Sequence, residues 1–132
     1  DISIITKKHN ISGIIKNHQV IYGSEHFIEE INNDKYKVSY DAFFQTNNNI
    51  NKKLIKILSD NIPDNLSILD LFCGVGSLGL SAANKSKKLI GIEIISSAVK
   101  NAKENALLND INNAEFLCED IFNINLCFFY LF

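Results

Sequence analysis

Arginine and methionine are absent from this 132-residue chain, and proline occurs once, at Pro63. Every cationic side chain except histidine is therefore a lysine. With a net charge of −2 and a pI near 5.9, the chain lacks the basic footprint of a self-sufficient RNA binder. Cysteine is scarce: Cys73, Cys118 and Cys127 are an odd number without metal-ligand spacing, which argues against a disulfide framework and against a zinc or iron–sulfur site. Long apolar runs are missing too, the stretch 126–132 being far too short to span a bilayer. No secretory leader is recognisable at the amino end, so the expected compartment is the cytoplasm. The chain starts at Asp1 and stops inside an apolar run, so it is expected to be an excerpt of something longer.

Lysine, asparagine and isoleucine are abundant, which reads as AT-rich coding composition with little functional content. The lysines at 7–8, at 52–53 with 56, and at 85 with 87–88 read as solvated faces.

Against this background one stretch carries chemistry. Ile68-Leu69-Asp70-Leu71-Phe72-Cys73-Gly74-Val75-Gly76-Ser77-Leu78-Gly79 is an apolar run ending in a glycine turn, and Leu89-Ile90-Gly91-Ile92-Glu93 is a second run ending in an acid. The acid follows the first glycine by 93 − 74 = 19 residues, close to the roughly 20 of nucleoside-binding βαβ units. Gly74 and Gly76 can take positive φ and keep Cβ atoms away from a ligand, while the helix beyond them begins with unpaired N–H groups. Glu93 is placed to accept hydrogen bonds from ribose hydroxyls. Gly74-x-Gly76-x-x-Gly79 also satisfies the dinucleotide pattern, but Asp70 precedes the turn. A carboxylate 4 Å from a pyrophosphate charge is repelled by about 1 kcal/mol in water and by more when shielded. A sulfonium ligand with a free amino group would be attracted instead, which favours S-adenosylmethionine over NAD.

The spacing along the chain predicts short strands over 2–5, 11–15, 19–22, 27–31 and 36–40, with Asn32-Asn33-Asp34 as a hairpin turn. This part is too short for a core of its own and should lean on the rest. A helix is expected over 48–60, with Ile50, Leu54, Ile55 and Leu58 on one face. From residue 67 the order becomes strand 67–72, helix 77–84, strand 88–94, helix 97–108 and strand 114–118, which implies a parallel sheet. The second of these helices should start on a Ser96 or Ser97 cap, bury Ala98, Val99, Ala102 and Ala106, and leave Glu104 in solvent. Asp120, after the last strand, should share the sheet edge with the turn and Glu93. Cys73 and Cys118 are expected to serve packing.

These residues resemble a family. Ser39-Tyr40-Asp41-Ala42-Phe43-Phe44-Gln45-Thr46-Asn47, the turn from Asp70 to Leu80, Gly91-Ile92-Glu93-Ile94, and Ala98-Val99 with Ala102, Asn105 and Ala106 are similar to the RNA uracil-5-methyltransferases. These are class I S-adenosylmethionine enzymes of ribosomal or transfer RNA. The resemblance covers about residues 12–120. It implies a Rossmann-like α/β methyltransferase fold, of which 46–132 would be the first half, preceded by a partial β-rich segment at 1–45. It also implies that Gln45 and Phe72 contact the cofactor, that Gly74, Gly76 and Ser77 form its loop, that Glu93 holds the ribose, and that Asp120 reaches the adenine amino group. Phe43 and Phe44 read as packing residues.

In that family a cysteine thiolate adds to C6 of uracil, the enolate attacks the methyl group from C5, and a glutamate removes the C5 proton. Those groups belong to a later S-C-N-P segment that follows an N/D-P-P-R strand end. Neither occurs in 1–132, and Cys127 lacks that context, so no catalytic residue is assigned here. The iron–sulfur cysteines of some members are also missing. The implied function is methyl transfer to C5 of a uridine, in ribosomal RNA ahead of transfer RNA, with RNA as partner and neither a membrane nor an obligate protein partner. The alternatives are an inactive S-adenosylmethionine-binding remnant, another class I methyltransferase, or an NAD enzyme sharing the turn.

Overall fold

In the computed structural model of the protein, residues 2–45 and 47–124 are described. The first element corrects the expectation of a strand: Ile2–His9 is a helix, α1. Isoleucines at 2, 4 and 5 favour a strand locally, yet Ile4 and Ile5 remain in solvent and Thr6 is the buried residue. Lys7, Lys8 and His9 place cationic side chains in the last turn, where the helix dipole favours them. Asn10 then takes φ 49° and the Ile11 N–H reaches the Thr6 carbonyl at 3.1 Å, a six-to-one closure that ends the helix cleanly.

Two antiparallel hairpins follow, β1 (Gly13–Lys16) with β2 (Gln19–Gly23) and β3 (His26–Ile31) with β4 (Asp34–Ser39). Each turns through two residues of positive φ, Asn17-His18 and Asn32-Asn33, the mirror-image turn that suits strand twist. Helix α2 (Asn48–Asn61) is capped by the Asn47 side chain, which accepts from the Ile50 N–H at 3.1 Å. Ile55 is buried and Ile50 is exposed, so the apolar face is narrower than its spacing predicts.

Then β5 (Ser67–Leu71), α3 (Ser77–Ala83), β6 (Lys88–Glu93), α4 (Ser96–Leu108) and β7 (Ala114–Cys118) alternate as expected. The strands form a parallel sheet in the order β5-β6-β7. Along β6, Leu89 faces α3 and Gly91 faces the Phe116 ring; a Cβ at Gly91 would overlap that ring, so the glycine is set by packing. The core joins Leu80, Leu89, Val99, Ala102 and Phe116 to Ile31 and Tyr36 of the second hairpin. The second hairpin thus leans on the parallel sheet's helices. No described helix is long and apolar enough to cross a membrane.

How the hairpin leans is a matter of amides. In an antiparallel pair, alternate residues of an edge strand turn their N–H and C=O groups outward. On β4 those are Lys35, Lys37 and Ser39. Asn109, which caps the end of α4, and Asn105 and Asn101 of α4 accept from their N–H groups at 2.9, 2.6 and 2.7 Å. Asn105 and Asn109 also donate back, to the Lys37 and Lys35 carbonyls at 3.1 and 2.9 Å. A primary amide carries both donor and acceptor, so the helix face stands in for a missing strand. Beside the stripe, Glu104 pairs with Lys37 at 2.7 Å, which corrects the expectation that it faces solvent.

Candidate nucleoside site

All three parallel strands end at one edge, and the backbone ties those ends together. The Cys73 N–H donates to the Ile92 carbonyl and the Glu119 N–H to the Glu93 carbonyl, both at 3.0 Å. Phe72 leaves β5 at φ 60° and Gly74 and Gly76 follow at 55° and 82°, three left-handed residues that swing the chain over the strand ends and into α3. Gly76 has a second constraint: a Cβ there would lie 3.2 Å from each of Ala102, Leu80 and Phe116.

Glu93 is the hub of the edge. Its Oε2 accepts from the Gly74 N–H at 3.1 Å, and its Oε1 from the N–H groups of Ile94 and Ile95 at 2.8 and 3.0 Å. The carboxylate therefore organises both the glycine turn and the entry to α4. A carboxylate has about four acceptor positions, so roughly one remains for a ligand hydroxyl. The helix starts at Ser96 after an Ile95 N-cap without a side-chain cap bond. This corrects the expected serine cap: Ser97 instead donates to Asp41 Oδ2 at 2.9 Å. Ala98, Val99, Ala102 and Ala106 are buried as predicted.

Asp70 does not turn towards the ligand side. It shares the helix-facing parity of β5 with Ile68, and its Oδ2 accepts from the Gly79 N–H at 3.1 Å, one of the donors that a helix start leaves unpaired. Burial raises its pKa, and the Gly79 bond offsets part of that rise. Burial, then the negative charges of Asp70 and Glu93, push the Cys73 thiol up to about 12. Two carboxyl groups thus lie beside the turn, and burial above all keeps its thiol protonated. Cys118 is exposed at the end of β7, its Sγ 3.5 Å from the Ile94 carbonyl, rather than packed as expected.

On the far side of the edge, Asp120 accepts from the Phe122 N–H at 3.0 Å and from Asn123 Nδ2 at 2.8 Å. The Phe122 ring stands 6.5 Å from that of Phe72. The two rings are 86% and 66% exposed, an uncovered apolar pair beside an acid. Phe122 was not singled out from sequence, because a lone aromatic after the last strand carries no pattern. Ser77 opens α3 half-buried, with its carbonyl 3.5 Å from the Tyr36 hydroxyl. Gln45 stands apart: it is exposed, lines a cavity of about 280 Å³ with Phe27, Val38 and Phe44, and forms no hydrogen bond with the turn or Glu93 among the described residues. Its segment still reaches the site, since the Phe43 carbonyl lies 3.3 Å from where a Gly74 Cβ would be. Phe44 packs against the core and edge-on to Phe27, whereas Phe43 is exposed rather than packed. Phe72, Gly74, Gly76, Ser77, Glu93 and Asp120 therefore come together at one edge, whereas Gln45 lies two residues beyond the Phe43 carbonyl that reaches it. Cys127 lies outside the described residues.

A parallel sheet whose first two strands end in a glycine turn and a hydrogen-bonded acid defines a nucleoside-binding α/β protein. Residues 62–130 match the family model described as "Methyltransferase domain", and the chain belongs to that family. It is 43% identical over 104 residues to a Clostridium tetani protein named uncharacterized RNA methyltransferase, covering 77% of this chain and 23% of that protein. It is 38% identical over 102 residues to the zebrafish (Danio rerio) tRNA (uracil-5-)-methyltransferase homolog B, covering 76% and 21%. The chain thus spans less than a quarter of these relatives' length. Its fold is similar to that of the Pyrococcus abyssi tRNA (uracil-54, C5)-methyltransferase solved with S-adenosyl-L-homocysteine (TM-score 0.72, 23% identity, 88% of this chain and 30% of that one). It is also similar to that of P. horikoshii TYW2 solved with MeSAdo (TM-score 0.72, 21% identity, 93% and 48%).

Proposed function

We propose that this chain is the cofactor-holding part of an S-adenosylmethionine-dependent RNA methyltransferase that methylates C5 of a uridine in the cytoplasm. The observation that carries the reading is the Gly74–Glu93 hydrogen bond, which binds turn and acid into one preformed edge. The residues suit the cofactor. Glu93 keeps an acceptor for a ribose hydroxyl, Gly74 and Gly76 let the ligand approach the backbone with Ser77 beside them, Phe72 and Phe122 offer apolar faces to a purine, and Asp120 offers an acceptor to its amino group. The Glu93 carboxylate at the turn, with Asp70 beneath it, would repel a pyrophosphate and attract a sulfonium or an ammonium. Bound there, S-adenosylmethionine supplies an electrophilic methyl group. Gln45 would approach its amino-acid end with an amide that both donates and accepts.

Relatives named RNA methyltransferases support an RNA substrate, and the zebrafish relative's name supports uridine C5. Neither described cysteine suits a nucleophile: Cys73 is buried and protonated, and Cys118 sits at the strand end against a carbonyl. The chain by itself is therefore expected to bind cofactor without transferring its methyl group. Labelled S-adenosylmethionine is incubated with unmodified ribosomal RNA first and transfer RNA second, using this chain and a protein of its relatives' full length that contains it. Label at uracil C5 with the longer protein alone is expected. Label elsewhere on the RNA would overturn the uridine assignment, and label with the short chain would return a cysteine of residues 1–132 to the mechanism.

A further inference from the structure

The asparagine stripe of α4 extends one rung further than the strand it pairs. Four residues before Asn101, the Ser97 hydroxyl meets Asp41, so positions 109, 105, 101 and 97 face 35, 37, 39 and 41 in turn. Four helical residues rise about 6.0 Å and two strand residues about 6.6 Å. Helix and strand therefore stay in step across three rungs, and the Ser97–Asp41 contact continues the spacing past the strand's end.

The end of this ruler is the functional end of the sheet. Ser97 lies in the first turn of α4, four residues after Glu93. Asp41 opens the segment 41–45, which passes the Phe43 carbonyl over Gly74 and ends at Gln45. Beyond β4, the Ala42 N–H of that segment donates to the Ser39 carbonyl at 3.0 Å. We infer that the Ser97-Asn101-Asn105-Asn109 stripe is the positioning device of the site, and that its last rung, Ser97–Asp41, sets where Gln45 stands relative to Glu93 and the glycine turn. Asp41 and Ser97 are positioning residues and touch no cofactor themselves. The functional half of the inference rests on the cofactor reading above; the register half does not.

The test uses the 132-residue chain with Ser97→Ala, Asp41→Ala and Asp41→Asn. Alanine suits the exposed helix start, and asparagine keeps an acceptor for the serine hydroxyl. Amide hydrogen exchange over 40–45 should accelerate about tenfold in the two alanine variants, stay near the parent rate in Asp41→Asn, and be unchanged in β6. S-adenosylhomocysteine affinity is then measured for Ser97→Ala, Gln45→Ala and the double variant. If Ser97 acts by placing Gln45, the double variant binds no more weakly than Gln45→Ala alone. Unaltered exchange over 40–45, or two affinity losses that simply multiply, would overturn the inference. Accelerated exchange in a chain whose parent form binds no S-adenosylhomocysteine would uphold the ruler and count against the cofactor reading.

Discussion

The two hairpins use the same turn chemistry and end up in different situations. Both reverse through a pair of residues with positive φ, and both pair four to six residues a side. Yet β2 is exposed at every position, while Ile31, Tyr36 and Val38 of the second hairpin are buried. The difference lies at the outer edge of β4, which finds a row of amides on α4. A two-stranded hairpin is marginal by itself in water, so what surrounds it decides its stability more than its turn does. Side-chain amides at helical spacing can serve as that surrounding, at an edge where backbone pairing would otherwise be left open.

Breaking the middle rung should cost most. Asn105→Leu strands the Lys37 N–H and C=O and the Val75 carbonyl, which Asn105 also reaches at 3.0 Å. At about 1–3 kcal/mol per unsatisfied buried group, a loss on the order of 3–5 kcal/mol is expected. Denaturant unfolding measures it, and a loss under about 1 kcal/mol would mean the ladder does not hold the hairpin.

A smaller effect concerns the buried acid under the turn. Asp70 holds its proton more tightly folded than unfolded, so stability falls as pH rises from the ordinary carboxylate range through the raised folded value. Asp70→Asn keeps an acceptor for Gly79 and removes the charge. Its thermal midpoint should exceed the parent's at neutral pH, and the advantage should vanish below about pH 4. An advantage that grew on acidification would reverse the sign argued here.

The contrast between tied and untied parts extends to the thiols. Cys73 is buried with its thiol pushed up to about 12, and Cys118 is exposed. Iodoacetamide followed by peptide mass spectrometry should label Cys118 first and Cys73 only on unfolding. Labelling of Cys73 as fast as Cys118 would mean that the turn opens readily. The smallest change is expected in the loose hairpin, where Val20→Thr should move stability by no more than about 0.5 kcal/mol. A larger loss would show that β2 is covered in solution.

The parallel part was legible because its signals are local. Apolar runs, a glycine turn and a terminal acid fix β5, β6 and the site edge, and Asn32-Asn33 marks its hairpin. The first helix was misread because β-branched isoleucines favour a strand, whereas its end is fixed by the left-handed Asn10. Asp70 was read only as an acid ahead of the turn, and its parity with Ile68 points it at α3, where the Gly79 N–H holds it. The asparagine ladder was hidden twice over. Its residue type was attributed to base composition, and spacings of four on one element and two on another mean nothing until the two are placed side by side. Gln45 was named by resemblance and by the donor and acceptor of its amide, and only the Phe43 carbonyl of its segment is seen to reach the edge.

The central claim is that the edge built by Gly74 and Glu93 is a site for S-adenosylmethionine and not for a dinucleotide. Calorimetric titration of the chain with S-adenosylhomocysteine and with NAD tests it most directly, with Glu93→Ala and Glu104→Ala as paired variants. The account predicts tighter binding of S-adenosylhomocysteine, weakened by Glu93→Ala by about 1.5–3 kcal/mol for each charge-assisted bond lost and little affected by Glu104→Ala. Tighter binding of NAD, or S-adenosylhomocysteine binding indifferent to Glu93→Ala, would contradict it.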